Sequence, residues 1–323
     1  MAIKAWDSQK AVDEIFFRNE TVSLCLLVNR RARTMRVIDF RAGPNPAKRL
    51  FVLSLAQREG VAKILTLVER DEVQTWVKLG FAKEGTIPGF YKRSDAFLLG
   101  CSAAAGRSGG AGGPGSASEK DLDDVPGQSE VRVAVAGASA PLSPAQARME
   151  RTIAAAKRDM LVGAASLPHV KVTPAVGTET RKAVATALRS GRALTAFEPF
   201  GRDVERRHFV ASGSGRRGGF ELYASVESQS CFSNAYLELL EAPNSEADKL
   251  GTAGALRALC DALKAEGIVA CFALAPSDAA ALAWAYLQSG FRRTGLLLGH
   301  LVVRGERKDA IVWSRKLANP AED

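Results

Sequence analysis

Histidine and cysteine are scarce in this chain of 323 residues, at three and five. Cys25, Cys101, Cys231, Cys260 and Cys271 form no C-x-x-C pair and have no histidine at metal-ligand spacing. A zinc ribbon or finger and a disulfide framework are therefore excluded, and no metal is expected. The cysteines read as small buried residues in a reducing compartment, apart from Cys101, which opens a glycine-rich stretch and is expected to be exposed. No apolar run reaches the roughly 18 to 20 residues that a membrane helix needs. The opening residues, Met1-Ala2-Ile3-Lys4-Ala5-Trp6-Asp7, lack the basic-then-apolar layout of a signal peptide. A cytoplasmic protein without a membrane partner is the expectation.

Charge of one sign is not dominant either. The formal net charge is +9, and residues 1–100 hold 17 Lys and Arg against 11 Asp and Glu. The densest basic cluster, Arg30-Arg31-Ala32-Arg33 with Arg36, has no interleaved aromatics and reads as a solvated hairpin tip rather than a nucleic-acid stripe. Nucleic acid is not an expected partner.

What is present is enough for two cores, since single cores usually close at roughly 100 to 200 residues. Residues 101–118 are almost wholly small and are followed by an acidic patch, too little apolar surface to offset ordering, so they read as a flexible Gly/Ala/Ser-rich tether. The organisation expected is a first unit over 1–100, a linker over 101–142, a connecting helical segment over 143–178 and a second unit over 179–323. Ser143-Pro144 has the cap-then-proline signature of a helix start, and a further helix is expected over 179–188, stopped by Gly191. Short β-rich runs follow at 208–211, 220–226 and 235–240. Between the first two, Gly213-Ser214-Gly215-Arg216-Arg217-Gly218 matches G-x-G-x-x-G but leads into a strand, so it reads as a hairpin turn and not a dinucleotide loop.

An internal repeat sets the architecture. Glu59-Gly60-Val61-Ala62-Lys63-Ile64-Leu65 and Glu266-Gly267-Ile268-Val269-Ala270-Cys271-Phe272 each close a helix with glycine and enter a β-run. An aspartate follows in each (Asp71, Asp278), then an amphipathic helix. Gly-Phe-x-x-x-Gly comes next, at Gly80 to Gly85 and at Gly290 to Gly295, and a β-run closes the copy at Asp95-Ala96-Phe97 and Asp309-Ala310-Ile311. Repeated order argues for two units of one topology: strand, loop, helix, strand, helix, closing hairpin. Leu256, Leu259, Cys260 and Leu263 fall on one helical face that would pack on a sheet. In the first copy Asn45 and Pro46 open the helix.

These motifs resemble the GNAT superfamily of acetyl-CoA-dependent N-acetyltransferases. Their overall order is most similar to that of the beta-lysine N-acetyltransferases, on Gly80-Phe81 with Ile87-Pro88-Gly89-Phe90-Tyr91 and on Gly290-Phe291-Arg292-Arg293-Thr294-Gly295 with Asp309-Ala310-Ile311-Val312-Trp313. The resemblance covers about two thirds of the chain and implies an α/β (α+β) fold. Two GNAT-like units, each a mixed twisted sheet flanked by helices, would be joined by the tether. The family holds the coenzyme diphosphate on a Gln/Arg-x-x-Gly-x-Gly/Ala loop opening a helix. Asp248-Lys249-Leu250-Gly251-Thr252-Ala253 has that spacing, with Asp248 in the leading place and Lys249 beside it to offset the charge. The implied coenzyme contacts are Leu239, Leu240, Lys249, Gly251, Thr252, Ala253 and Gly254. In the first unit Pro44 and Pro46 stand where the family has glycine or alanine and have no amide hydrogen to donate, so that unit is expected to be a degenerate copy.

The resemblance implies acetyl transfer from acetyl-CoA to an amine, a small molecule or a protein lysine or N-terminus, by the second unit. Tyr286, four residues before Gly290, stands where many members place the tyrosine that protonates the departing thiolate; Trp76 holds that place in the first unit. Glu238 and Glu241 are the candidate general bases, on opposite faces because residues alternate along a strand. The competing reading is a catalytically degenerate pair serving as a protein-interaction or regulatory module, with a protein partner on the first unit.

Overall fold

A computed structural model describes residues 12–41, 43–103, 142–162, 167–213, 220–229 and 232–319. Most of the expected tether, Ser214 to Gly218 of the G-x-G-x-x-G turn, and Cys231 lie outside the described residues. The first half contains β1 (Val12–Arg18), β2 (Ser23–Asn29), β3 (Thr34–Asp39), α1 (Pro46–Arg58), β4 (Lys63–Val68), α2 (Val73–Lys78), β5 (Ala82–Ile87) and β6 (Ala96–Ser102). Then come α3 (Pro144–Val162), β7 (Lys171–Pro174) and α4 (Gly177–Arg189). The same order of elements follows again as β8 (Glu205–Gly213), β9 (Phe220–Gln229), β10 (Asn234–Leu239), α5 (Glu246–Ala265), β11 (Ala270–Pro276), α6 (Ala280–Gln288), β12 (Arg292–Val303) and β13 (Glu306–Lys316).

The capping chemistry read from sequence is present. The Asn45 side chain accepts from the Ala47 amide with Pro46 in the first turn of α1, and Ser143 accepts from the amide of Gln146 at the start of α3. Gly60 and Gly267 each follow a helix with φ of +64° and +87°, left-handed values at which a side chain would be strained.

The thirteen strands among the described residues form one mixed sheet, ordered β1-β2-β3-β4-β6-β5-β12-β13-β11-β10-β9-β8-β7, with helices packed against it. Apart from β7 the order is palindromic, so the two copies meet edge to edge about an approximate twofold. They join at β5 and β12, where Gly85 pairs with Gly295, the equivalent glycines of the two Gly-Phe-x-x-x-Gly motifs. An isologous contact of this kind brings the same patch of each copy together. A Cβ on Gly295 would lie 2.5 Å from the Gly85 Cα and 2.6 Å from the Glu84 carbonyl oxygen, so only hydrogen side chains let the two edges approach.

The core follows this arrangement. One large cluster lies under the first copy and one under the second, a third straddles the join, where Leu65, Ile87, Phe90 and Leu98 pack with Tyr236, Phe272, Leu297 and Val312, and a small fourth gathers Val184, Ala187, Ala193, Phe197 and Leu240 beside α4. Met149, Ile153 and Ala156 of α3 enter the second cluster, so the connecting helix belongs to that core. Cys101, expected to be exposed, is buried in β6 at 8% exposure, because β6 pairs on both sides, with β4 and β5. Cys260 and Cys271, eleven positions apart in sequence, place their sulfurs 3.7 Å apart in the interior. Among the described residues no helix is long and apolar enough to cross a membrane.

Replacing Gly295 with alanine is expected to lower the free energy of unfolding by about 1–3 kcal/mol, because backbone lies where the methyl group would go. Gly177→Ala, at a helix start with nothing within 4 Å of the added carbon, is the control and is expected to stay within about 0.5 kcal/mol. Urea midpoints of the two variants test both statements.

Candidate active site

In the second copy β10 and β11 run parallel and are paired only from Asn234 to Leu237 and from Ala270 to Ala273; beyond that they part. The Leu240 amide donates to the Tyr223 carbonyl at 2.9 Å, so by strand alternation the amide and carbonyl of Leu239 point the other way, into the fork. Of the two strand amides singled out from the sequence, Leu239 alone is directed there. Leu240 is engaged on both sides, since its carbonyl accepts from Leu194 at 2.8 Å.

Glu238 stands at the same fork, 9% exposed, on the wall of a cavity of about 90 Å³ between the two copies. Thr195 Oγ1 donates to its Oε1 at 2.6 Å and Arg206 Nη1 to its Oε2 at 3.0 Å. Burial is the largest influence and raises its pKa to about 7, in spite of the opposing pull of Arg206 and Thr195. Arg206 also pairs with Glu227, whose carboxylate accepts the amides of Phe200 and Gly201. The first copy completes the cluster. Arg31 Nη2 donates to Glu198 Oε2 at 2.7 Å, and Arg36 Nη1 donates to the Phe200 carbonyl at 2.6 Å with its guanidinium 4.6 Å from the Phe200 ring centre. His300, on the same cavity wall, has its pKa lowered to about 3, chiefly by burial and then by Lys63 and Arg307, so it is a neutral imidazole.

This assembly corrects the reading of Arg31 and Arg36 as part of a solvated hairpin tip. Arg31 from the β2–β3 turn reaches the buried Glu198 carboxylate of the other copy, and Arg36 from β3 reaches the Phe200 carbonyl. Thr195, Arg206, Glu198 and Glu227 were not foreseen. Arg31 and Glu198 are 167 positions apart, and Arg36 and Phe200 are 164 apart, so no local pattern links them.

The remaining residues singled out from the sequence are dispersed. Glu241 leaves β10 on the other face, with Arg192 at 3.4 Å, and lines a separate surface cleft with Tyr223 and Lys182. Tyr286 is 1% exposed in α6, stacked on Trp313 with ring centres 5.4 Å apart and edge-on to Phe291 at 5.1 Å; burial pushes its pKa up. Its counterpart Trp76 makes the same edge contact with Phe81, at 4.9 Å.

The expected coenzyme loop is not a loop. α5 begins at Glu246 under the Ser245 cap, so Lys249, Gly251, Thr252, Ala253 and Gly254 lie inside the helix, where amides beyond the first turn bond to carbonyls four residues back. A Cβ on Gly251 would fall 2.6 Å from the Phe220 ring, and one on Gly254 would fall 2.7 Å from the Pro168 carbonyl oxygen. Lys249 is 7% exposed, paired with Glu246 at 2.8 Å and 4.9 Å from the Trp284 ring centre. A strong Ser245 cap extends the helix backwards over the motif. In the first copy, Lys48 at 1% exposure donates to Asp39 Oδ2 at 2.5 Å, to the Gly43 carbonyl at 3.0 Å and to the Arg41 carbonyl. That loop turns carbonyls inward around a cation, the opposite polarity to a diphosphate cradle.

No protein-family model matches the chain, and no curated protein matches it. Solved structures that resemble it include an acetyltransferase from Sphaerobacter thermophilus, at 14% identity and TM-score 0.37 over 47% of this chain and 96% of that one. The ribosomal-protein-S18-alanine N-acetyltransferase of Escherichia coli aligns at 16% identity and TM-score 0.34 over 48% and 97%. Spermidine N-acetyltransferase of Vibrio cholerae, solved with CoA and spermine, aligns at 11% and 0.37 over 47% and 97%.

The folded chain holds the Glu238 proton more tightly than the unfolded chain, whose ordinary value is 4.5, so ionising Glu238 removes stability as pH rises from 4.5 to about 7. Glu238→Gln, which cannot ionise, is therefore expected to gain on the parent protein through that window. The check is the difference in urea midpoints from pH 4.5 to about 8; a difference constant with pH would contradict the buried-carboxyl assignment.

Proposed function

We propose that the chain is a GNAT-type N-acetyltransferase that moves acetyl from acetyl-CoA to an amine at the fork between β10 and β11. The observation that carries this reading is the pairing, at one fork, of a carboxyl with a pKa near 7 and an inward-facing strand amide: Glu238 and Leu239. A base with that pKa is half ionised at neutral pH and matched to taking a proton from an ammonium ion.

In this reading Glu238 takes the proton from the acceptor, directly or through one water, and the freed amine attacks the thioester carbonyl. The carbonyl oxygen becomes an oxyanion facing the Leu239 N–H, a donor already oriented by the ladder to β9, so little reorganisation is needed. The carbon–sulfur bond then breaks and the thiolate takes a proton, a role the resemblance assigns to Tyr286, which recovers its own proton from the nitrogen of the new amide, so that neutral amide and CoA thiol leave; burial keeps the phenol protonated between turnovers. Glu238 is preferred to Glu241 because the latter faces the separate cleft. The amides of Gly251, Thr252, Ala253 and Gly254 belong to the helical ladder, so a coenzyme diphosphate would have to be held by other groups.

One observation favours a second reading, a regulatory or protein-interaction module without turnover: Phe220 and Pro168 pack against Gly251 and Gly254, where the resembled family leaves room for the coenzyme. Thermal denaturation with CoA separates the two. Ligand at about 100 times its dissociation constant adds roughly 2.7 kcal/mol of stability, and the transferase reading requires a shift, whereas none at millimolar CoA supports the module. Given turnover, Glu238→Gln is expected to lower kcat/KM by about 10²–10⁴ and to abolish the rise in rate through pH about 7. Tyr286→Phe is expected to lower kcat with the KM for acetyl-CoA unchanged; an unaltered kcat removes Tyr286 from the mechanism.

A further inference from the structure

The larger hollow lies in the other fork. β3 and β4 pair in parallel from Thr34 to Val37 and from Lys63 to Thr66, then part around a cavity of about 480 Å³. The chemistry of its walls differs from that of the Glu238 cavity. Trp76, Phe90, Tyr91 and Phe232 line it with aromatic surface, and Phe90, Tyr91 and Phe232 touch one another edge-on or tilted, so these walls are already held in place.

Charge at the mouth is unbalanced. Glu69, Asp71 and Glu72 line it without an ion-pair partner among the described residues. The two arginines on the wall are outnumbered by its five carboxylates, with Asp39 and Asp203 included, although each arginine keeps a buried Nε without a hydrogen bond among the described residues. Arg202 lies 3.4 Å from Asp203 and 3.7 Å from Glu14, and Arg36 is held on the Phe200 carbonyl and ring near Glu227. The loop that could have offered amides to an anion closes instead on the Lys48 ammonium, with prolines at 44 and 46. Gln229, also on the wall, has a buried side-chain oxygen with no partner among the described residues, an acceptor suited to an N–H group.

Aromatic faces attract cations through their quadrupole, and unpaired carboxylates do so by charge; together they recognise an ammonium group on an apolar body and reject an anion. We propose that the β3–β4 fork is a binding site for a small organic ammonium ion, separate from the Glu238 centre and independent of whether acetyl transfer occurs there.

The test uses the full chain with phenylethylammonium chloride as the probe, and phenylacetate and 2-phenylethanol as the anionic and neutral controls. Calorimetry is expected to show binding of the ammonium ion and not of phenylacetate, with a change in tryptophan emission that Trp76→Phe removes. Combining Glu69→Gln, Asp71→Asn and Glu72→Gln is expected to weaken binding by about tenfold or more; two of these side chains are exposed and the third half-buried, so the fold tolerates the change. Glu238→Gln is expected to leave this affinity unaltered, which separates the site from the transfer centre. The proposal is overturned by no binding up to about 10 mM probe, by equal binding of phenylacetate, by an unweakened triple variant, or by loss of binding in Glu238→Gln.

Discussion

The close approach of Gly85 and Gly295 is the constraint from which the rest of the molecule follows. Two sheets can share an edge only if their terminal strands come within hydrogen-bonding distance, and here backbone fills the space that any side chain would need. With that approach made, the two copies become one sheet of thirteen strands and a third hydrophobic cluster closes over the join. The twofold relation then carries the β2–β3 turn of one copy over the fork of the other.

That placement explains the buried charge. Three arginines and three glutamates from both copies converge near the fork: Arg31, Arg36 and Arg206 with Glu198, Glu227 and Glu238. Buried ions persist only where opposite charge and hydrogen bonds replace water, and breaking such a set leaves an uncompensated charge that costs about 3–5 kcal/mol. Arg206 stands between Glu227 and Glu238. The Glu238 Oε2 bond to Arg206 is 3.0 Å, whereas Glu227 also receives two backbone amides. Burial nevertheless raises the Glu238 pKa to about 7, and the architecture that joins the copies supplies part of that burial.

The two copies have diverged by filling opposite parts of the same plan. In the second, the fork is narrow, the helix after it extends backwards over Gly251, and Phe220 covers that glycine. In the first, the loop encloses Lys48 and the fork is open between aromatic walls. Neither difference is visible in the repeated motifs, which lie in the shared elements. They arise from a cap residue, Ser245, in one copy and from a buried lysine in the other.

Element order, the Asn45 and Ser143 helix caps, the closing glycines and the equivalence of the two Gly-Phe-x-x-x-Gly motifs were legible in the chain itself, because each rests on contacts within a few residues and on the 2.0 and 3.6 periods of strand and helix; the Ser245 cap was not read. The separation of Glu238 from Glu241 was legible too, a consequence of alternation along β10. The tertiary structure alone decided that Arg31 and Arg36 bond to groups of the other copy, that Leu239 and not Leu240 faces the fork, that Gly251 is packed, and that the wider of the two forks is that of the first copy. Each of these depends on groups that are distant in sequence, or on which neighbour takes a given hydrogen bond. Sequence periodicity carries no information about either until the sheet is closed.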